Sequence, residues 1–189
     1  ETLRGKVLET KADIGIALDG DADRLLVVDE KGQIIDGDKV IALIAEKLHN
    51  DGDLKYDTVV ITQMSNLALE NYLSYIGVST VRSKVGDRYV LEEMRKNGYN
   101  FGGEQSGHIV LSDYSTTGDG LIAALQVLSA VCNSKKPASE VLNLFELAPQ
   151  ILKNTKFDKT KKNPLEEKSV QDFIKQKEEE LGSKGRILV

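Results

Sequence analysis

Disulfides, membrane spans and a basic surface are what this sequence lacks. Cys132 is the only cysteine among 189 residues, which excludes an internal disulfide and fits a reducing compartment. No apolar run approaches the ~20 residues of a membrane helix, and no signal peptide is visible, so a cytoplasmic protein without a membrane partner is expected. Positive charge is not in excess either. Lys and Arg total 25 against 30 Asp and Glu, a net charge of -5. The signs are mixed along the chain, so no stripe for nucleic acid forms. The cluster Lys159, Lys161, Lys162 reads as a solvated loop. Cys132 continues the apolar helical pattern Leu121, Leu125, Leu128 and is expected to be buried.

What is present begins with Asp19-Gly20-Asp21-Ala22-Asp23-Arg24, between the apolar runs Ile14–Leu18 and Leu25–Val28. In extended backbone, alternate side chains share a face, so three carboxylates can converge on a hard cation. A polar hairpin accounts for a bare D-x-D. The third aspartate adds repulsion that a turn does not need and that a cation or arginine offsets. The spacing from Asp19 to Glu30 also fits a twelve-residue calcium loop, but Arg24 stands where that loop needs glycine, and the flanks read as strands. A haloacid-dehalogenase-type phosphatase is the other alternative: Val59-Val60-Ile61-Thr62 could pass for its second motif. That family also wants a later acidic pair, and this chain contains no two adjacent aspartates.

From Ala12 to Ile35 the pattern is strand, acidic loop, strand, turn and strand. Asp36-Gly37-Asp38 then caps a helix over 39–48. Strands follow at 58–62, 78–81, 101 and 109–111. Helices are expected from 65 or 66 to 75, over 89–96, from 121 to about 132, and from Pro137 to near Leu147. The pattern predicts an α/β fold with a mixed, largely parallel sheet layered with helices, with domain boundaries near 35–38 and 148–150. Beyond Pro149, 150–157 reads as a strand, 158–163 as a charged loop and 165–181 as a charged helix, with another strand starting at Gly185. His49 ends a helix.

A second constellation is Gly102-Gly103-Glu104-Gln105-Ser106-Gly107-His108. Small residues permit close backbone approach, and alternation puts Glu104, Ser106 and His108 on one side. That set suits a polyhydroxylated ligand, with His108 able to move a proton near neutral pH. A glycine-rich hairpin with a surface histidine is the plainer reading. Val85-Gly86-Asp87-Arg88 follows a strand, a usual ligand position in α/β layers, where Arg88 could meet a phosphate or pair with Asp87. Thr116-Thr117-Gly118-Asp119-Gly120 is either an anion site at a helix N-terminus or a cap.

Together these loops resemble the α-D-phosphohexomutases over essentially the whole chain. DGDADR at 19–24 is similar to that family's metal loop, and GGEQSGH at 102–108 to its sugar-recognition loop. MSN at 64–66, VGDRYV at 85–90 and TTGDG at 116–120 occur in the same order. Gln105 favours the glucosamine branch over the phosphomannomutase and phosphoglucomutase branches. The resemblance implies that Asp19, Asp21 and Asp23 bind Mg²⁺ and that Arg24 stabilises the transferring phosphoryl group. It gives Glu104 and Ser106 the sugar hydroxyls and His108 proton transfer or ligand binding, with Gly86 and Arg88 as further contacts. The ligand implied is a phosphorylated amino sugar. The reaction implied interconverts glucosamine 6-phosphate and glucosamine 1-phosphate through a phosphoserine and a bisphosphorylated sugar.

The same resemblance divides the chain into 1–36, the end of a second domain carrying the metal loop, 37–148, a third, sugar-recognition domain, and 149–189, the start of a fourth. Glu1 in place of methionine and the cut-off strand at Val189 read as the ends of a fragment. It would lack the first domain with the phosphoserine and the rest of the fourth with its R-P-S-G-T-E loop. Such a fragment is expected to be inactive as a mutase. A non-catalytic sugar- or metal-binding module, an artificial oligomer through exposed sheet edges and a homodimer of the longer protein remain open alternatives.

Overall fold

Two sheets, one antiparallel and one mixed, organise the residues described by the computed structural model, 2–154, 156 and 163–189. The first has the order β1 (Ile14–Leu18), β2 (Leu25–Asp29), β3 (Ile34–Ile35). Its last β1–β2 pair, Leu18 with Leu25, makes residues 19–24 the connection of a hairpin. Helix α1 (Thr2–Thr10) precedes it. The apolar periodicity gives no helix there, because Val7 is the residue it buries. Gly15 makes room for that side chain: a Cβ there would collide with the Val7 methyl.

The second sheet has the order β5 (Ser79–Ser83), β4 (Thr58–Thr62), β6 (Phe101–Gly103), β7 (Ile109–Leu111). β4 runs parallel to β5 and β6, and β7 returns antiparallel. Every residue of β4 is buried, as expected for a central strand covered on both faces. Val59 and Ile61 join α2 (Gly37–Asp51), α3 (Leu67–Tyr75) and α5 (Gly120–Ser134) in one core. The alternate Val60 and Val110 pack with Val90 and Met94 of α4 (Asp87–Asn97). Helix α2 begins where the Asp36 carboxylate accepts the Asp38 amide and ends at Gly52, whose left-handed φ of 76° suits glycine.

Helix α5 turns a different face inward from the one its leucines suggest. Gly120, Ala123, Ala124 and Val127 are buried, whereas Leu121 and Leu125 are 57% and 56% exposed. Cys132, on the leucine stripe, is exposed rather than buried. Small residues let α5 approach α2 closely, so the inward face is the less apolar-looking one. Helix α6 (Ala138–Val141) is likewise shorter than its sequence pattern. The chain beyond it leads to Ala148, whose amide and carbonyl are bound by the Asn66 side chain.

Two compact units emerge, Glu1–Ala148 and Pro149–Val189. In the second, Asn163 caps a short turn over Pro164–Glu166, and α7 (Lys168–Leu181) follows. No strand forms among the described residues of 150–157 or at 185–189. Thr155 and 157–162, with the lysine cluster and most of the expected charged loop, lie outside the described residues. Among the described residues no helix is long and apolar enough to cross a membrane.

Candidate active site

The β1–β2 connection is a tight turn. The Ala22 amide donates to the Asp19 carbonyl at 3.2 Å, and Ala22 sits at φ 58°. One carboxylate oxygen from each of Asp19, Asp21 and Asp23 lies within 4.8 Å of the others. Arg24 closes the group. Its Nε donates to Asp19 Oδ2 at 2.7 Å and its amide to Oδ1 at 3.1 Å, while Asp23 Oδ1 is 3.7 Å from Nε. Desolvation raises the Asp19 pKa, but the Arg24 hydrogen bonds outweigh it and hold the carboxyl below the ordinary range. The hydrogen bond to Asp19 raises the Arg24 pKa in turn. Asp23 Oδ1 is shut from solvent with no hydrogen bond among the described residues. An all-oxygen donor set with one orphaned carboxylate oxygen fits a hard cation such as Mg²⁺.

The glycine-rich loop is the turn between β6 and β7. The Glu104 amide donates to the His108 carbonyl, and the Gly107 amide to the Glu104 carbonyl, each at 2.9 Å. Its side chains diverge to separate anchors. Glu104 Oε1 accepts the Gly86 amide at 2.8 Å. Gln105 Nε2 donates to Asp36 Oδ2 at 3.2 Å. His108 Nδ1 lies 3.1 Å from Asp23 Oδ2. Ser106 alone among these four polar side chains is exposed.

Backbone contacts join the two loops. Arg24 and His108 form an isolated antiparallel bridge, and the Leu25 amide donates to the Gly107 carbonyl at 3.0 Å. Gly107 has φ 90°, and a Cβ there would strike the Leu25 carbonyl. The 116–120 segment also supports the turn over 19–24. Asp119 caps α5 by accepting the Ile122 amide at 2.9 Å, and the Gly120 amide donates to the Ala22 carbonyl at 2.9 Å. That segment acts as a cap and a clamp.

The structure thus gathers Asp19, Asp21, Asp23, Arg24 and His108, with Glu104 and Gly86 joined beside them. It does not bring Arg88 into this cluster. Its Nε donates to Glu92 at 2.7 Å along the exposed face of α4, while its amide meets Asp87. Asp36 and Gly37 are participants that the sequence reading treats only as a helix cap. A Cβ at Gly37 would run into the Gln105 carbonyl, so the Asp-Gly pair serves cap and loop together. The glycine directly after a capping aspartate is the signal the sequence offers.

Residues 36–148 match the family model for Phosphoglucomutase/phosphomannomutase, alpha/beta/alpha domain III. The chain belongs to the phosphoglucomutase/phosphomannomutase family. Over 187 residues, 99% of this chain, it is 56% identical to a phosphoglucosamine mutase of Azorhizobium caulinodans. Over all 189 it is 56% identical to that of Novosphingobium aromaticivorans. It spans 41% and 42% of those two relatives. Among solved members of the family, a Burkholderia thailandensis phosphoglucomutase/phosphomannomutase family protein aligns with TM-score 0.71 at 27% identity. That alignment covers 77% of this chain and 32% of the other. The Aspergillus fumigatus N-acetylphosphoglucosamine mutase, solved with GlcNAc-6P and magnesium, shares the fold. Its TM-score is 0.58 at 19% identity, over 71% of this chain and 33% of that one.

Proposed function

We propose that the chain is the metal- and sugar-binding part of a phosphoglucosamine mutase, which interconverts glucosamine 6-phosphate and glucosamine 1-phosphate in the cytoplasm. The observation that carries this is the union of the two loops through the Arg24–His108 bridge and the Leu25–Gly107 hydrogen bond. It puts an aspartate cluster suited to a divalent cation beside a loop suited to a sugar. The phosphoglucosamine mutases that match nearly the full chain favour the amino sugar over a hexose. They also favour a mutase over a phosphatase.

Asp19, Asp21 and Asp23 would hold Mg²⁺. Bound there, the ion would offset charge on a transferring phosphoryl group. Arg24, half-exposed beside the cluster, supplies a fixed guanidinium to the same phosphoryl oxygens. Glu104 keeps Oε2 for a sugar hydroxyl while Oε1 is held by Gly86, and the exposed Ser106 hydroxyl adds a second contact. Arg88 can reach a ligand phosphate only by leaving Glu92. His108 joins the set through Asp23.

The proposed division is 1–36 as the end of a second domain, 37–148 as the third and 149–189 as the start of a fourth. In the full cycle a phosphoserine outside this chain passes its phosphoryl group to the sugar, and the bisphosphorylated sugar returns the other. The test compares this chain with the longer parent, both given glucosamine 6-phosphate, Mg²⁺ and a bisphosphate activator. An active parent and a silent chain are expected. Turnover by the chain alone would overturn the assignment of the phosphoserine to another part of the protein. A parent that only releases phosphate would overturn the mutase reading.

A further inference from the structure

His108 is 3% exposed, and both edges of its ring are enclosed. Nδ1 faces Asp23 Oδ2 at 3.1 Å, while Nε2 has no hydrogen-bond partner among the described residues. The ring lies against Gly118, where a Cβ would collide with Cε1 and Nε2. A carboxylate acceptor at one nitrogen and none at the other puts the proton of the neutral ring on Nδ1. Direct proton exchange with a sugar hydroxyl needs an open nitrogen within roughly 2.6–3.2 Å of it. The buried ring offers none. Asp23, in contrast, needs a fixed partner. It sits among like charges, and its Oδ1, 3.7 Å from Arg24 Nε, has no hydrogen bond among the described residues to orient it.

We propose that His108 is a positioning residue of the metal loop: its Nδ1–H fixes Asp23 Oδ2 and thereby leaves Oδ1 for the cation. Gly118 is then glycine because the imidazole occupies the space of its absent side chain. The Arg24–His108 bridge holds the histidine backbone against the same loop. Ligand carboxylates are commonly oriented by such outer partners. The proposal rests on the reading of Asp19, Asp21 and Asp23 as metal ligands, and it moves His108 from the sugar to the aspartates.

Mn²⁺ alone serves as the probe, with binding to the chain followed by electron paramagnetic resonance. In His108→Asn the amide nitrogen falls near the place of Nδ1, and in His108→Gln near that of Nε2. Loss of an outer partner costs about 10–100-fold in metal affinity, so His108→Gln is expected to weaken Mn²⁺ at least ~10-fold and His108→Asn by less than about threefold. Equal affinities in all three chains, or equal losses in both variants, would overturn the proposal. A second readout needs neither metal nor a His108 variant: the imidazole ¹⁵N spectrum of the metal-free chain. An Nδ1–H tautomer that is lost in Asp23→Ala, which removes the acceptor, supports the positioning role, and an Nε2–H tautomer overturns it. Should the unaltered chain take up no Mn²⁺, metal binding by these residues alone fails, and the nitrogen spectrum still decides the role of His108.

Discussion

Gly86 donates its amide to Oε1 of Glu104 at 2.8 Å, which ties the start of α4 to the turn between β6 and β7. Gly86 holds φ 123°, a conformation that side-chain-bearing residues rarely adopt. Gly86→Ala is therefore expected to cost about 1–3 kcal/mol in urea denaturation. Glu104→Gln retains a carbonyl acceptor for Gly86, so its stability should stay within about 0.5 kcal/mol of the parent. Its affinity for glucosamine 6-phosphate should fall roughly tenfold, as hydrogen bonds to a charged group are worth about 1.5–3 kcal/mol. Unchanged calorimetric affinity would remove Glu104 from the sugar site.

Asp38 is fully buried at the start of α2 and accepts the Asn66 amide at 2.6 Å. Desolvation, only partly offset by that bond, pushes its pKa up from 3.8 to about 6. A raised carboxyl pKa means that the folded state binds the proton more tightly than the unfolded chain. This contribution is present at acid pH and is lost as pH rises from 3.8 to about 6. Against Asp38→Asn, which does not titrate, the parent should lose on the order of 2 kcal/mol of relative stability between pH 4 and pH 7. A pH-independent difference between the two urea curves would refute the shift.

At Gly107, left-handed backbone and lack of space coincide. Gly107→Ala meets both the φ of 90° and the Leu25 carbonyl. Its expected cost is about 3 kcal/mol, the sum of backbone strain and a steric clash. Because the glycine carbonyl also receives the Leu25 amide, the backbone signals of both loops should shift in the amide spectrum. A change confined to residues 104–108 would show that the loops are not coupled there.

Cys132 is exposed on α5. Ellman's reagent should therefore titrate one thiol per folded chain without denaturant, as access governs thiol reactivity. Reaction only after addition of urea would return Cys132 to the core and reverse the assigned face of α5.

The strands β1, β2 and β4 are legible in the sequence because apolar runs of five residues stand between turn signals. The buried face of α5 is not, because close packing against α2 selects Ala123, Ala124 and Val127 over larger leucines. Composition alone exposes the two loops as unusual. Their union is invisible there, since Leu25 and Gly107 meet through backbone atoms that every sequence supplies. The Gln105–Asp36 bond spans 69 positions, and neither residue type specifies the other. Only the glycines at 37, 107 and 118 leave a trace of these approaches, as positions where a side chain would have no room.

The contact between His108 and Asp23 closes a loop of 85 positions, and that separation has a kinetic meaning. Loop-closure entropy must be met before such a contact returns any energy. The hairpin of β1 and β2 can form early from neighbours in sequence, whereas the Asp23–His108 contact must also close the long loop between them. The histidine contact is thus expected to follow the hairpin in folding, whereas the turn that gathers Asp19, Asp21, Asp23 and Arg24 rests on partners no more than five positions apart.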